Sequence, residues 1–219
     1  MLYRSLGREC WLLVRGRAAG KSDKNAHVHG PEGKHIRSFH AGDAIAEVQT
    51  TENSNVWVSY FDQGVFGDTP LGKEGLVCLD DEGRVVFRFN DLAIAEEIPD
   101  IADCYALNVC SDRETWLYYY TEFPLVQIVD GNIAKIWTDI GSRGSKAFAV
   151  AEWQILFAGG YHKAEKLFLV DLDDPTNAIE CVPVDLDGKA LEPFTGFGRG
   201  SKLYLITGTS VFVVDLADR

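Results

Sequence analysis

The strongest constraint on this chain is a degenerate repeat of strand-sized apolar runs, each followed by a turn. Residues 10–14, 56–61, 115–120, 155–159 and 203–207 are rich in aromatic or β-branched side chains and are flanked by turn formers. A second run follows each of them, at 26–29, 76–79, 125–128, 167–170 and 211–214. Polar turns at 30–33, 80–83 and 130–132 then lead into a third run, at 35–39, 85–89 and 133–137, with 179–182 in the equivalent place of the fourth copy. Another run precedes four of the anchors, at 2–6, 46–50, 105–109 and 147–150. With Trp11, Trp57, Trp116, Ile155 and Leu203 taken as equivalent, the period is roughly 48 residues.

A unit of four antiparallel strands, apolar on both faces, cannot bury itself. Radial stacking against like units can, which gives an all-β fold, a small β-propeller of five blades. A two-layer sandwich competes less well, because it needs one face of each sheet to be polar. The expected blades are 1–42, 43–91, 102–140, 145–189 and 191–219, within a single domain covering 1–219. The last runs out of sequence after a third strand, so one terminal blade is incomplete. Self-association through the first and last blades is therefore expected as one way to cover sheet edges. Helix is confined to one or two turns around 91–97, stopped by Pro99.

The chain holds 33 acidic and 21 basic side chains, a net charge of −12. Such a surface repels a phosphate backbone, so no nucleic-acid partner is expected. No apolar run is long enough to span a membrane as a helix, and no secretory leader is visible at the start of the sequence. The five cysteines are irregularly spaced with no C-x-x-C pair, which fits free thiols in the cytoplasm.

Candidate binding residues follow from the propeller geometry. Asp103 and Asn108 stand on the inner strand of the third blade and are expected to face the channel. Asp62 opens the segment 62–68 after an aromatic strand, a rim for a small ligand or protein partner at the channel mouth. That segment has two aspartates but not the regular oxygen spacing of a calcium loop, so no cofactor is predicted, with calcium or another divalent metal as the alternative. Tyr118, in the aromatic block 116–120, is read chiefly as packing, with its hydroxyl available at a channel mouth. Arg15, with Arg17, and Arg199 offer a small basic spot suited to a carboxylate or phosphate, and the loop 159–162 is a similar feature of the fourth blade. His27 and His29 share a strand face, a spacing open to a metal pair but equally explained by alternation.

The segments 55–62, Asn-Val-Trp-Val-Ser-Tyr-Phe-Asp, and 75–80, Gly-Leu-Val-Cys-Leu-Asp, resemble blade segments of bacterial propellers of the NHL and SMP-30-like grouping, and of uncharacterised bacterial propeller proteins. The resemblance implies the fold over most of the chain. SMP-30-like lactonases hold calcium with a glutamate and Asn or Asp side chains in the channel, a set with no residue-by-residue match here. The expected function is thus a noncatalytic binding or scaffold propeller. The alternative is a metal-assisted hydrolase or lactonase using Asp62, Asp103 and Asn108.

Overall fold

The computed structural model describes residues 1–191 and 193–218; the expected last blade, 191–219, includes Glu192 and Arg219, which lie outside the described residues. The chain folds as five antiparallel sheets, the blades of a small β-propeller, four of them four-stranded and one three-stranded. The first sheet is β1 (Leu2–Leu6), β2 (Cys10–Val14), β3 (Ala26–His29) and β4 (His35–Phe39). The second is β5 (Ile45–Thr50), β6 (Val56–Tyr60), β7 (Leu76–Leu79) and β8 (Val85–Arg88). The third is β9 (Asp103–Val109), β10 (Glu114–Tyr120), β11 (Leu125–Val129) and β12 (Asn132–Trp137). The fourth is β13 (Ala147–Ala151), β14 (Gln154–Ala158), β15 (Leu167–Asp171) and β16 (Asp174–Cys181). The fifth has β17 (Thr195–Arg199), β18 (Lys202–Thr207) and β19 (Ser210–Asp215). Each sheet is a simple meander, so every strand pairs with its neighbour in sequence and short turns suffice.

Two insertions interrupt the pattern. Residues 62–68, expected as a loop, start with a helical turn, α1 (Asp62–Val65); Val65 is buried and Phe66 is exposed. The other carries α2 (Phe89–Ala95), the short helix expected ahead of Pro99.

The chain divides into two compact units, one of residues 1–104 and 119–121, the other of 105–118 and 122–219. In the first, Arg4 Nε donates to the Val48 carbonyl at 2.7 Å and Thr50 Oγ1 to the Ser5 carbonyl at 2.7 Å, tying β1 to β5. Two fully or nearly buried amides brace its loops. Asn25 donates to Arg15 O and Gly42 O, both at 2.8 Å, and accepts from Ala41 N. Asn90 donates to Lys73 O and Ile101 O and accepts from Ile101 N.

In the second unit one apolar cluster joins Trp116, Tyr118, Leu125 and Trp137 to Phe148, Phe157 and Val170. Another joins Ala147, Ala149, Leu156 and Ala158 to Leu203 and Leu205. The two terminal sheets each leave an apolar face partly exposed. Tyr3 and Trp11 stack with centroids 5.1 Å apart on the first, and Ile206, Val211 and Val213 line the fifth.

A tryptophan-walled cleft as candidate functional site

In the second unit, antiparallel pairing sets Trp116 opposite Gln127, and Gln127 opposite Lys135. Alternation then puts Glu114, Trp116, Gln127, Lys135 and Trp137 on one face of the third blade. The fourth blade brings up its β13–β14 turn. Ala151 pairs with Gln154, leaving Glu152 and Trp153 as a two-residue hairpin loop with Glu152 at φ 50°. Between these elements lies a cleft of about 490 Å³.

Three indoles wall it. Trp116 and Trp137 are buried and stack at 5.2 Å between centroids, 19° from coplanar. The Trp137 indole N–H donates to the Leu172 carbonyl at 3.2 Å, which fixes the ring's orientation. Trp153 is 57% exposed. The left-handed position of this turn is taken by Glu152, so Trp153 is free of that backbone demand and its indole is left at the mouth of the cleft. The Lys135 ammonium lies 4.6 Å from the Trp137 centroid and 5.5 Å from that of Trp153, within cation–π range of both.

The polar groups are partly committed. One oxygen of Glu114 accepts from Trp116 Nε1 and Gln127 Nε2, both at 2.8 Å. The carboxylate thus orients an indole and an amide through one oxygen, and Glu114 lines the cleft. Burial, reinforced by Glu114, pushes the Cys110 thiol up to about 12, with Arg199 pulling weakly the other way. Cys110 therefore stays protonated at neutral pH and is no nucleophile.

The residues singled out in the sequence fall in several places. Asn108 is fully buried, and its amide is spent on backbone: Nδ2 donates to Phe148 O at 2.9 Å and Gly200 O at 3.0 Å, and Oδ1 accepts from Gly200 N at 2.6 Å. Tyr118 is fully buried and donates to the Ser142 carbonyl at 2.6 Å, so its hydroxyl is a brace in the core; burial raises its pKa. Arg199 stands beside the cleft, near Cys110. Arg15 is paired with Asp23 at 2.8 Å, and Arg17 with Asp43 at 3.3 Å. Asp62 is exposed at the start of α1 and accepts from the Gln63 amide at 2.7 Å. Asp103 opens β9 half-buried. His27 and His29 do share a face, and cross-strand pairing adds His35, whose ring lies 5.4 Å from His29 and 6.1 Å from His27. Among the described residues no three His, Cys, Asp or Glu side chains are grouped so as to hold a metal ion. Nor is any described helix long and apolar enough to cross a membrane.

Sequence reading missed Trp137, Trp153, Lys135 and Glu152 as a group. The available signal was Trp153 itself, an indole in a turn bounded by two strands.

Solved structures similar to this chain share its fold at low identity. PorZ, a surface component of the type-IX secretion system of Porphyromonas gingivalis, matches at TM-score 0.52 and 14% identity over 98% of this chain. The chain spans 28% of PorZ's length. A catalytically inactive virginiamycin B lyase from Staphylococcus aureus, solved with quinupristin, matches at 0.52 and 10%, covering 99% of this chain and 69% of the lyase. A chain of the nidogen/laminin complex matches at 0.52 and 10%, covering 99% and 89%. An enzyme and a member of a protein complex match equally well, so the likeness carries the fold and no activity. No curated protein matches the sequence. Residues 76–214, more than half of the chain and including every strand that builds the cleft, match the sequence model of the YxzG family, and this protein belongs to that family.

Proposed function

We propose that this protein is a noncatalytic binding module, a scaffold propeller whose ligand seats in the tryptophan-walled cleft. The observation that carries the reading is Trp153, a solvent-exposed indole on a two-residue turn beside two further indoles, carboxylates and an amide. A ligand that suits these walls has a flat apolar face and a hydrogen-bonding edge, as a sugar ring does. Its C–H face would lie on Trp153, and its hydroxyls would reach the side chains of Glu114, Gln127 and Glu152. The five cysteines are free thiols, which fits a reducing compartment, and a cytoplasmic location is part of the same proposal.

Titration of intrinsic fluorescence with a panel of mono- and oligosaccharides tests this. At least one is expected to give a saturable change, and Trp153→Ala is expected to weaken binding about tenfold or more, roughly 1.4 kcal/mol. The same variant should shift stability by only about 0.5 kcal/mol, because the side chain is mostly exposed. Absence of saturable binding, or equal affinity in the variant, rejects the saccharide reading.

A second reading, self-association through the terminal blades, rests on the exposed Tyr3–Trp11 stack and on Ile206, Val211 and Val213. Sedimentation velocity across a hundredfold concentration range is expected to show mass increasing with concentration, and Val213→Lys is expected to suppress it. A constant monomer mass removes the reading.

A further inference from the structure

We infer that a second cleft, on the same unit but lined by other residues, is a site for a small oxyanion, a carboxylate or a phosphate. It measures about 530 Å³ and is built from the connection between β12 and β13, the connection between β14 and β15, and Thr176 at the start of β16. The β14–β15 connection contains the Gly159-Gly160-Tyr161-His162 loop, which the tryptophan-walled cleft leaves unused.

Charge distinguishes this cleft from the rest of the molecule. The chain carries twelve more acidic than basic side chains, yet Arg143 and Lys163 line this cleft with Asp139 as the one carboxylate among the described lining residues. Six arginines elsewhere, at 15, 17, 37, 84, 88 and 113, are ion-paired. Arg143 has no ion-pair partner among the described residues, although its backbone is held, its carbonyl accepting from Tyr161 N at 2.8 Å. A planar guanidinium left unpaired in a concave site on an acidic protein is a bidentate receptor for an oxyanion.

The neighbouring groups support that use. The Tyr161 and Tyr105 hydroxyls are 2.7 Å apart, and the Lys146 ammonium lies 3.4 Å from the Tyr105 centroid, adding a third positive charge behind the tyrosine pair. Lys163 is paired with Glu180, which also holds Lys166 at 3.4 Å. Glu180 is thus shared between two ammonium groups, while Asp174 accepts from the Thr176 hydroxyl at 3.2 Å. Tyr161 and Phe168 supply a flat wall for the body of the ligand, and Gly141 and Gly160 line the cleft with backbone.

The test is ¹H–¹⁵N NMR titration of the full chain with inorganic phosphate and, separately, benzoate, at ionic strength held constant with sodium chloride. Saturable shifts of the Gly141 and Gly160 amides are expected with at least one probe. Saturation by phosphate alone assigns a tetrahedral oxyanion; saturation by benzoate alone assigns a carboxylate on a flat body. Arg143→Gln is expected to weaken either by about tenfold or more, while Lys135→Gln, in the tryptophan-walled cleft, leaves it unchanged. Shifts that track chloride, or that persist undiminished in Arg143→Gln, overturn the assignment. A saccharide-binding result of either sign leaves this outcome untouched, since the two clefts share no lining residue.

Discussion

Replacing Asn108 with alanine is expected to destabilise the second unit by about 3 kcal/mol, a large fraction of a domain's net stability. Truncation strands two carbonyls, Phe148 O and Gly200 O, and one amide, Gly200 N, which Asn108 serves at 2.6–3.0 Å. Partial compensation already exists at one of them, because Val150 N also donates to Gly200 O at 2.9 Å. Leaving a buried polar group unpaired costs on the order of 1–3 kcal/mol, so the remaining pair sets the scale. Chemical denaturation followed by tryptophan fluorescence measures it, and a loss below about 1 kcal/mol would mean water repairs the gap. Asn108→Asp makes a sharper comparison. At neutral pH it turns a carboxylate toward two carbonyl oxygens, so it should cost more than alanine does. Burial and those carbonyls raise its folded-state pKa above the unfolded value, so the folded state binds the proton more tightly. Stability of this variant should therefore improve as pH falls through the raised pKa, the reverse of an ion-paired aspartate.

That residue also marks where sequence reading stops. Its placement on the inner strand of the third blade follows from the repeat, since β9 carries the same phase as β1, β5, β13 and β17. Alternation does not reveal that its amide fits between Phe148 and Gly200, forty and ninety-two positions away. The fold was legible because it rests on local periodicity: apolar runs, turn formers and strand order all repeat, and each strand pairs with its sequence neighbour. The helical turn α1 was not, because its sequence, Asp-Gln-Gly-Val, has no helical pattern and tertiary packing imposes it. A Cβ on Gly64 would lie 2.8 Å from the Asp43 carbonyl and 3.0 Å from the Tyr60 Cβ. Close approach of backbone selects glycine there, against its low helix propensity.

The candidate sites were legible only in part, for a related reason. Tyr118 and Arg15 are residue types that often meet ligands, but the fold gives each an internal partner, a carbonyl for one and Asp23 for the other. The cleft residues come from three strands and a turn, and the register that lines up Trp116, Gln127 and Lys135 is visible only once pairing is known. Likewise His35 reads as isolated in the chain but stands directly opposite His29 across the β3–β4 pair, beyond a bulge that shifts the count by one.

Gly198→Ala is expected to have the larger effect on the fifth blade, about 3 kcal/mol or more, and to loosen that blade selectively. An added Cβ would sit 1.8 Å from the Phe148 carbonyl oxygen and 2.7 Å from its carbon, both backbone atoms of β13 with no rotamer to yield. Two positions earlier, Gly196 would place a Cβ 2.8 Å from that of Ala158 and 3.0 Å from that of Ala147. The alternation of these glycines along β17 therefore creates one smooth face, on which a neighbouring strand can lie closer than side chains ordinarily permit. A methyl group forces β17 outward and pulls Leu203 and Leu205 away from Ala147, Ala149 and Leu156. Hydrogen exchange should then accelerate at amides of β18 and β19 well before those of β10 and β11. Gly208→Ala supplies the control within the same blade. It has φ +55° but open space around the added carbon, so its cost is backbone strain alone, about 1 kcal/mol. Equal effects of the two substitutions would mean that strand β17 can shift without cost, and that close approach to β13 is not what holds the last blade in place.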